Sequence, residues 1–212
     1  MKKLLEWGGV AASIVLIAFG IGAIVVGVNG RSTVHSSLQA EQIVGSGDMN
    51  ATAIAAEAKK AGLPASIKLP TTDIAGKAID NGSRARAFAS YMRIHALEAS
   101  GGLTYSQMPR FASADGKGTN DAATALTSPS GQPLDNAARN VWISETALST
   151  ALNTSYMAEQ VALFGIVVGL AMLLSGIGFL VLTLRGAVRG GIVLSGAGVK
   201  KAGGIRAEPA GV

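Results

Sequence analysis

The stretch GGVAASIVLIAFGIGAIVVGV at residues 8–28 and its counterpart VALFGIVVGLAMLLSGIGFLVLTL at residues 161–184 decide the fold. Neither contains Asp, Glu, Lys, Arg or His. A helix rises about 1.5 Å per residue, so about 20 apolar residues cross the hydrocarbon core of a bilayer. Both stretches reach that length. They predict an integral membrane protein with spans at 8–28 and 159–184 and a polar middle at 29–158.

Charge orients the chain. The N-terminal tail, 1–7, carries +1, and the tail at 185–212, Gly-rich and basic, carries +4. Between Arg31 and Glu159 stand eleven basic and eleven acidic residues, so the whole formal charge of +5 sits on the tails. Positive flanks stay on the cytoplasmic side. Both termini are therefore expected in the cytoplasm and the middle outside it, in a protein of the cell membrane whose first partner is the lipid bilayer. The basic pI is then a topology signal, and nucleic acid is not an expected partner. The basic C-terminal tail suits contact with anionic lipid.

The chain has no cysteine. An outer domain without disulfides holds together by packing alone, and thiol nucleophiles and thiolate metal sites are excluded. The first apolar stretch is longer than the 7–15 residues of a signal-peptide core, and no A-x-A site closes it. It reads as an uncleaved anchor.

Small residues recur along both stretches in steps of three and four: Gly9, Ser13, Gly20, Ala23 and Gly27 in the first, Ala162, Gly165, Gly169 and Gly176 in the second, with Phe179 and Thr183 continuing it. Lipid gives helices no hydrophobic reason to meet, so contact comes from close backbone approach at small residues. A 3.5-residue period keeps such a row facing one partner. The expected fold is mainly α: two transmembrane helices in an antiparallel hairpin. The same rows would also suit self-association or a membrane protein partner. No ionisable group lies within 8–28 or 161–184, which argues against a transporter or pump core.

The rows run on past the spans. Val34, Leu38 and Gln42 extend the first, although Gly27 and Gly30 weaken the expectation of one continuous helix. Ala137, Val141, Ser144, Leu148, Ala151, Ser155 and Ala158 lead into the second. Asp135 is the expected N-cap of a helix from Asn136 to Leu184, whose part at 136–158 forms an extracytoplasmic stalk. Between the stalks a small α-rich outer domain is expected. Residues 51–61 predict a helix stopped by Gly62. Residues 67–69 and 74–79 predict short strands, an α+β element. A second helix fills 84–99, capped by Ser83 and ended by Gly101-Gly102. Its apolar face holds Phe88, Tyr91, Met92, His95 and Ala99; its other face holds Arg86, Ser90, Arg93 and Leu97. Residues 112–134 are low in complexity and predict a flexible loop. Phe88, Tyr91, Met92, His95 and Trp142 are the expected structural core.

Tyr91, His95-Ala96-Leu97-Glu98-Ala99, Gly101-Gly102-Leu103-Thr104-Tyr105 and Met108, followed by Trp142-Ile143, Thr146-Ala147-Leu148, Thr150-Ala151-Leu152-Asn153 and Tyr156-Met157-Ala158, carry a resemblance. The chain resembles a family of uncharacterised two-span membrane proteins of actinobacteria, often labelled aromatic ring-opening dioxygenases. The resemblance implies the architecture above and brings no catalytic residue. A non-haem iron site takes two histidines and a carboxylate. The chain has only His35 and His95, with Glu98 one turn from His95. His35, His95 and Glu98 are the candidate ligands, set against a reading of His95 as a hydrogen-bonded core histidine. No cofactor or catalytic residue is expected. The function read from the sequence is that of a membrane-anchored extracytoplasmic protein, non-enzymatic, acting through protein contacts in the cell envelope. The alternatives are an accessory subunit of a transport or respiratory complex, and a metal-dependent oxygenase.

Overall fold

The structure, a computed structural model, describes the backbone of residues 2–197 and the side chains of residues 7–186. Among these residues the protein is mainly helical: α1 (Lys2–Ala40), α2 (Ala51–Lys60), α3 (Gly82–Ala99) and α4 (Ala137–Ala197). Gly27 and Gly30 lie inside α1 without breaking it. α1 and α4 contain the two stretches long and apolar enough to cross a membrane. The stop expected at Leu184 is passed, and α4 runs on to Ala197. Arg185 and Arg189 are good helix formers and do not end a helix. The remainder of the basic tail, from residue 198, lies outside the described residues. The chain divides into two compact units, Met1–Gly27 with Phe164–Val212 and Val28–Leu163.

The first unit is a contact between glycine-bearing helix faces. A Cβ added at Gly20 would lie 2.7 Å from the Gly169 carbonyl oxygen and 2.7 Å from the Leu173 amide nitrogen. One added at Gly169 would lie 2.7 Å from the Gly20 carbonyl oxygen, and one at Gly176 3.0 Å from that of Ser13. Gly9 stands against Thr183, and Gly165 faces the Ala23 carbonyl at 3.7 Å from its would-be Cβ. The contacts fall in opposite order along the two helices. Ser13 is fully buried, and its hydroxyl donates to the Gly9 carbonyl at 2.7 Å, which leaves no polar group unmet. Gly27 is buried. Away from this seam the large side chains point outward: Phe19, Val26, Phe164 and Leu182 are each about two-thirds exposed or more. Phe179, expected on the seam, is exposed too. A ring is too large for a row that packs by backbone approach.

The second unit has its core around α3. Tyr91, Ile54, Ile74, Ile79 and Ile94 are essentially inaccessible, with Phe88, Leu97, Met108, Trp142 and Leu152 beside them. Met92 is half-buried at the edge of this core. Leu97, expected on the face opposite the apolar one, is buried, and Ala99, expected on the apolar face, is exposed. The reason is that α3 is covered on several sides, so one apolar stripe does not describe it. The caps also differ from expectation. Asn81 caps α3 by accepting from the Arg84 amide at 3.0 Å, in place of Ser83. Asn136 accepts from the Ala138 amide at 3.1 Å at the start of α4, in place of Asp135. Asn50 caps α2, accepting from the Ala53 amide. A neutral Asn caps as well as Asp or Ser, so adjacent candidates are not separated by type.

The short strands expected at 67–69 and 74–79 do not form; among the described residues only isolated bridges occur, such as Val44 with Ala78. Ile74 and Ile79 insert singly into the core, and the backbone between them turns, Lys77 donating to the Ile74 carbonyl at 3.0 Å. Residues 112–134, low in complexity, carry their own backbone bonds: Ala112 to Leu134 at 2.8 Å, Leu126 to Ala112 at 2.9 Å and Leu134 to Leu126 at 2.7 Å.

On α4 within this unit the buried face is displaced by one residue from the expected row. Trp142, Glu145 and Leu152 are buried, while of the expected row Leu148 packs half-buried on the core, Ser155 is half-buried, and Val141, Ser144, Ala151 and Ala158 are exposed. Large side chains fill the core here, so the small-residue row loses its meaning. Gln42, expected to continue the row of α1, lies beyond the helix with a left-handed φ of 53°. Two polar clusters tie the helices together. The Glu159 carboxylate accepts from Arg31 at 3.1 Å and from the Gly82 amide, the first of α3, at 2.7 Å. The Trp142 indole donates to the Leu103 carbonyl at 2.9 Å and to Ser100 at 3.1 Å.

Gly22 and Gly178 have open space where a Cβ would stand. Gly22→Ala and Gly178→Ala are therefore expected to leave stability unchanged or raise it by about 0.5–1 kcal/mol. Gly20→Ala and Gly169→Ala are expected to lower it by about 1–3 kcal/mol by forcing backbones apart. Reversible unfolding in detergent micelles compares the four variants.

Candidate functional site

One cluster of ionisable side chains gathers three segments of the second unit. Asp48 lies in the turn that precedes α2, Glu57 on α2, and His95 on α3, the helix that packs on α2. The three donor atoms lie within 4.8 Å of one another. His95 Nε2 stands 3.3 Å from Asp48 Oδ2 and 3.5 Å from Glu57 Oε1.

Local structure explains the arrangement. Asn50 caps α2 with its side chain and donates from its own amide nitrogen to the Gly47 carbonyl at 3.0 Å, which folds the turn carrying Asp48 back on the helix start. Ser46 donates to Asp48 Oδ1 at 2.5 Å. One carboxylate oxygen is thus held locally and the other is turned toward His95. On α2, Ile54 and Ala58 are buried, and Glu57 is drawn in beside them. Ile94 and Leu97 fix α3 in the core on either side of His95.

The electrostatics are unbalanced. Burial pushes the Glu57 carboxyl up to about 7 from its ordinary 4.5, helped by a shared hydrogen bond with Glu98 and by the charges of Glu98 and Asp48; Lys60 opposes the shift. Asp48 is held below its usual range, first by the Ser46 hydroxyl. His95 Nε2 is buried and has no hydrogen-bond partner. The expectation of a hydrogen-bonded core histidine is corrected here: the ring is half-buried and its Nε2 points between two carboxylates at distances longer than charge-assisted hydrogen bonds, which run about 2.7–2.9 Å.

The other candidates separate. His35 Nδ1 bonds the Asp80 carbonyl oxygen and does not join His95. The two histidines therefore do not form the two-histidine, one-carboxylate set of a non-haem oxygenase. Glu98 is exposed and acts on the cluster through Glu57. Asp48 and Glu57 are absent from the residues that the sequence singled out. A signal for Glu57 exists: it is the lone acid of α2, adjacent to the buried pair Ile54 and Ala58 on the helix face. Nothing in the sequence marks Asp48, which reaches the cluster through a turn.

A buried carboxylate outside this cluster, Glu145, accepts from Ser149 at 2.7 Å and lies beside Thr146. Arg93 stacks over the Trp142 ring at 5.2 Å. These are packed, satisfied contacts of the core margin.

A scan against protein-family models, a search of curated proteins and a search of solved structures each return no match to this chain.

The raised Glu57 carboxyl predicts an inverted pH response. Its folded pKa of about 7 exceeds the ordinary 4.5, so the folded state holds the proton more tightly. The contribution is fully present below the unfolded value and is lost as pH rises through about 7. Asp48 acts oppositely, contributing above its ordinary value and losing that contribution in acid. With EDTA present, thermal unfolding is expected at a lower temperature at pH 8 than at pH 5.5, and Glu57→Gln is expected to flatten the difference. An unchanged slope in Glu57→Gln would remove this carboxyl as its source.

Proposed function

We propose that the protein is a two-span integral membrane protein of the cell envelope, whose middle forms an extracytoplasmic domain that acts through protein contacts. One observation carries the reading. The large apolar side chains of residues 8–28 and 164–184 are exposed on every side except the glycine seam. A soluble protein does not leave such a surface to water, whereas hydrocarbon is its natural solvent. The opposite order of contacts along the seam supports an antiparallel transmembrane hairpin. The positive excess on both tails supports cytoplasmic termini. The alternative of an accessory subunit in a larger membrane complex uses the same surface, with the exposed faces of the spans meeting a partner's helices instead of lipid.

The absence of native cysteine makes topology directly measurable. Ser113→Cys is expected to react with a membrane-impermeant maleimide on intact cells. Ala202→Cys is expected to react only after the membrane is opened. The reverse pattern would place the middle in the cytoplasm and sink the proposal.

A further inference from the structure

We propose that Asp48, Glu57 and His95 form a binding site for one divalent transition cation, with zinc the ion whose geometry fits best. The inference goes beyond the anchoring role above and does not depend on it. It stands on two independent observations.

The first is geometric. Zinc binds imidazole nitrogen and carboxylate oxygen at about 2.0–2.2 Å in a tetrahedron, which sets ligand atoms about 3.3–3.5 Å apart. The separations of His95 Nε2 from Asp48 Oδ2, 3.3 Å, and from Glu57 Oε1, 3.5 Å, are two edges of such a tetrahedron. Charge-assisted hydrogen bonds are shorter. The three donors come from three segments and lie within 4.8 Å of one another, so a cation held by all three would keep a fourth position for a water or another ligand.

The second is the state of the imidazole. His95 Nε2 is shielded from solvent and makes no hydrogen bond. A buried nitrogen without a partner costs free energy, and a cation between it and the two carboxylates removes that cost. The neighbouring groups are acidic on this side: the charges of Glu98 and Asp48 both act on Glu57, and Lys60 opposes them. Glu98 touches Glu57 and is a positioning residue. The mixed set of one imidazole and two carboxylates suits zinc better than calcium or magnesium, which take oxygen alone.

The test uses the full-length protein in detergent micelles, purified without a histidine tag and stripped with EDTA. Zinc chloride titration by calorimetry, with metal analysis after gel filtration, is expected to give one ion per chain. His35→Gln is expected to bind as the parent does. His95→Gln, Glu57→Gln and Asp48→Asn are each expected to weaken binding at least about tenfold, and Glu98→Gln to weaken it less. The His35→Gln protein has one histidine, so Co²⁺ titrated into it reports on His95 alone even if a ligand variant fails to fold. Hyperfine-shifted imidazole signals from that protein support the site. Failure of the parent to bind zinc stoichiometrically overturns the proposal. Binding that survives His95→Gln unchanged, or Co²⁺ that shifts no imidazole signal, overturns it as well.

Discussion

Backbones in contact leave no room for a side chain, and the first unit depends on that constraint. At Gly20 and Gly169 each helix presents bare backbone to the other, and a single methyl on either side would meet a carbonyl oxygen or an amide nitrogen. In the bilayer proposed here, burying apolar surface brings no gain, since lipid is as apolar as the protein. What remains is dispersion between closely packed atoms, which falls off steeply with separation. Small residues let the backbones approach closely enough for it to count. Ser13 fits the same logic. It is small, and its hydroxyl is spent within its own helix, so it adds no unmet polar group to the seam.

The second unit is organised by different forces. Its side chains are large, and its helices meet through Ile, Phe, Tyr and Trp rather than through glycine. Burial of apolar area supplies most of the stability, while a few buried polar bonds set which residues face each other. Glu159 is the clearest case. Its carboxylate reaches Arg31 on α1 and the first amide of α3, where the helix dipole favours negative charge. Gly82 permits this approach, since a Cβ there would lie 2.8 Å from the Tyr156 Cα and 2.7 Å from the Glu159 carboxylate.

The carboxylate–histidine cluster sits within this frame without contributing obvious stability to it. Two carboxylates stand around a nitrogen that donates to neither, and burial, with Glu98 and Asp48 adding to it, raises the Glu57 carboxyl toward neutrality. Structural ion pairs normally relax to hydrogen-bonding distance. Here His95 Nε2 stays 3.3 Å from Asp48 and 3.5 Å from Glu57, the spacing that the proposed cation would use. The residues around it explain why it does not collapse: Ile54 and Ala58 on α2, and Ile94 and Leu97 on α3, are locked in the core.

The sequence by itself determined that the protein is mainly helical and that two helices are long and apolar enough to cross a membrane, because both follow from runs of residue type along one chain direction. It also marked α2 and α3 through periodicity and through Gly62 and the Gly101-Gly102 stop, and it placed His95 and Glu98 on one helix. Tertiary structure decided the rest. Whether residues 74–79 pair as a strand or insert singly depends on what lies across from them. Which of two adjacent capping residues caps depends on where the chain turns. The buried face of α4 shifted by one residue because Trp142 and Leu152 found a core, and a core is a property of three dimensions. Asp48 and Glu57 joined His95 only because a turn and two helices brought separate segments together, and no spacing along the chain records that meeting.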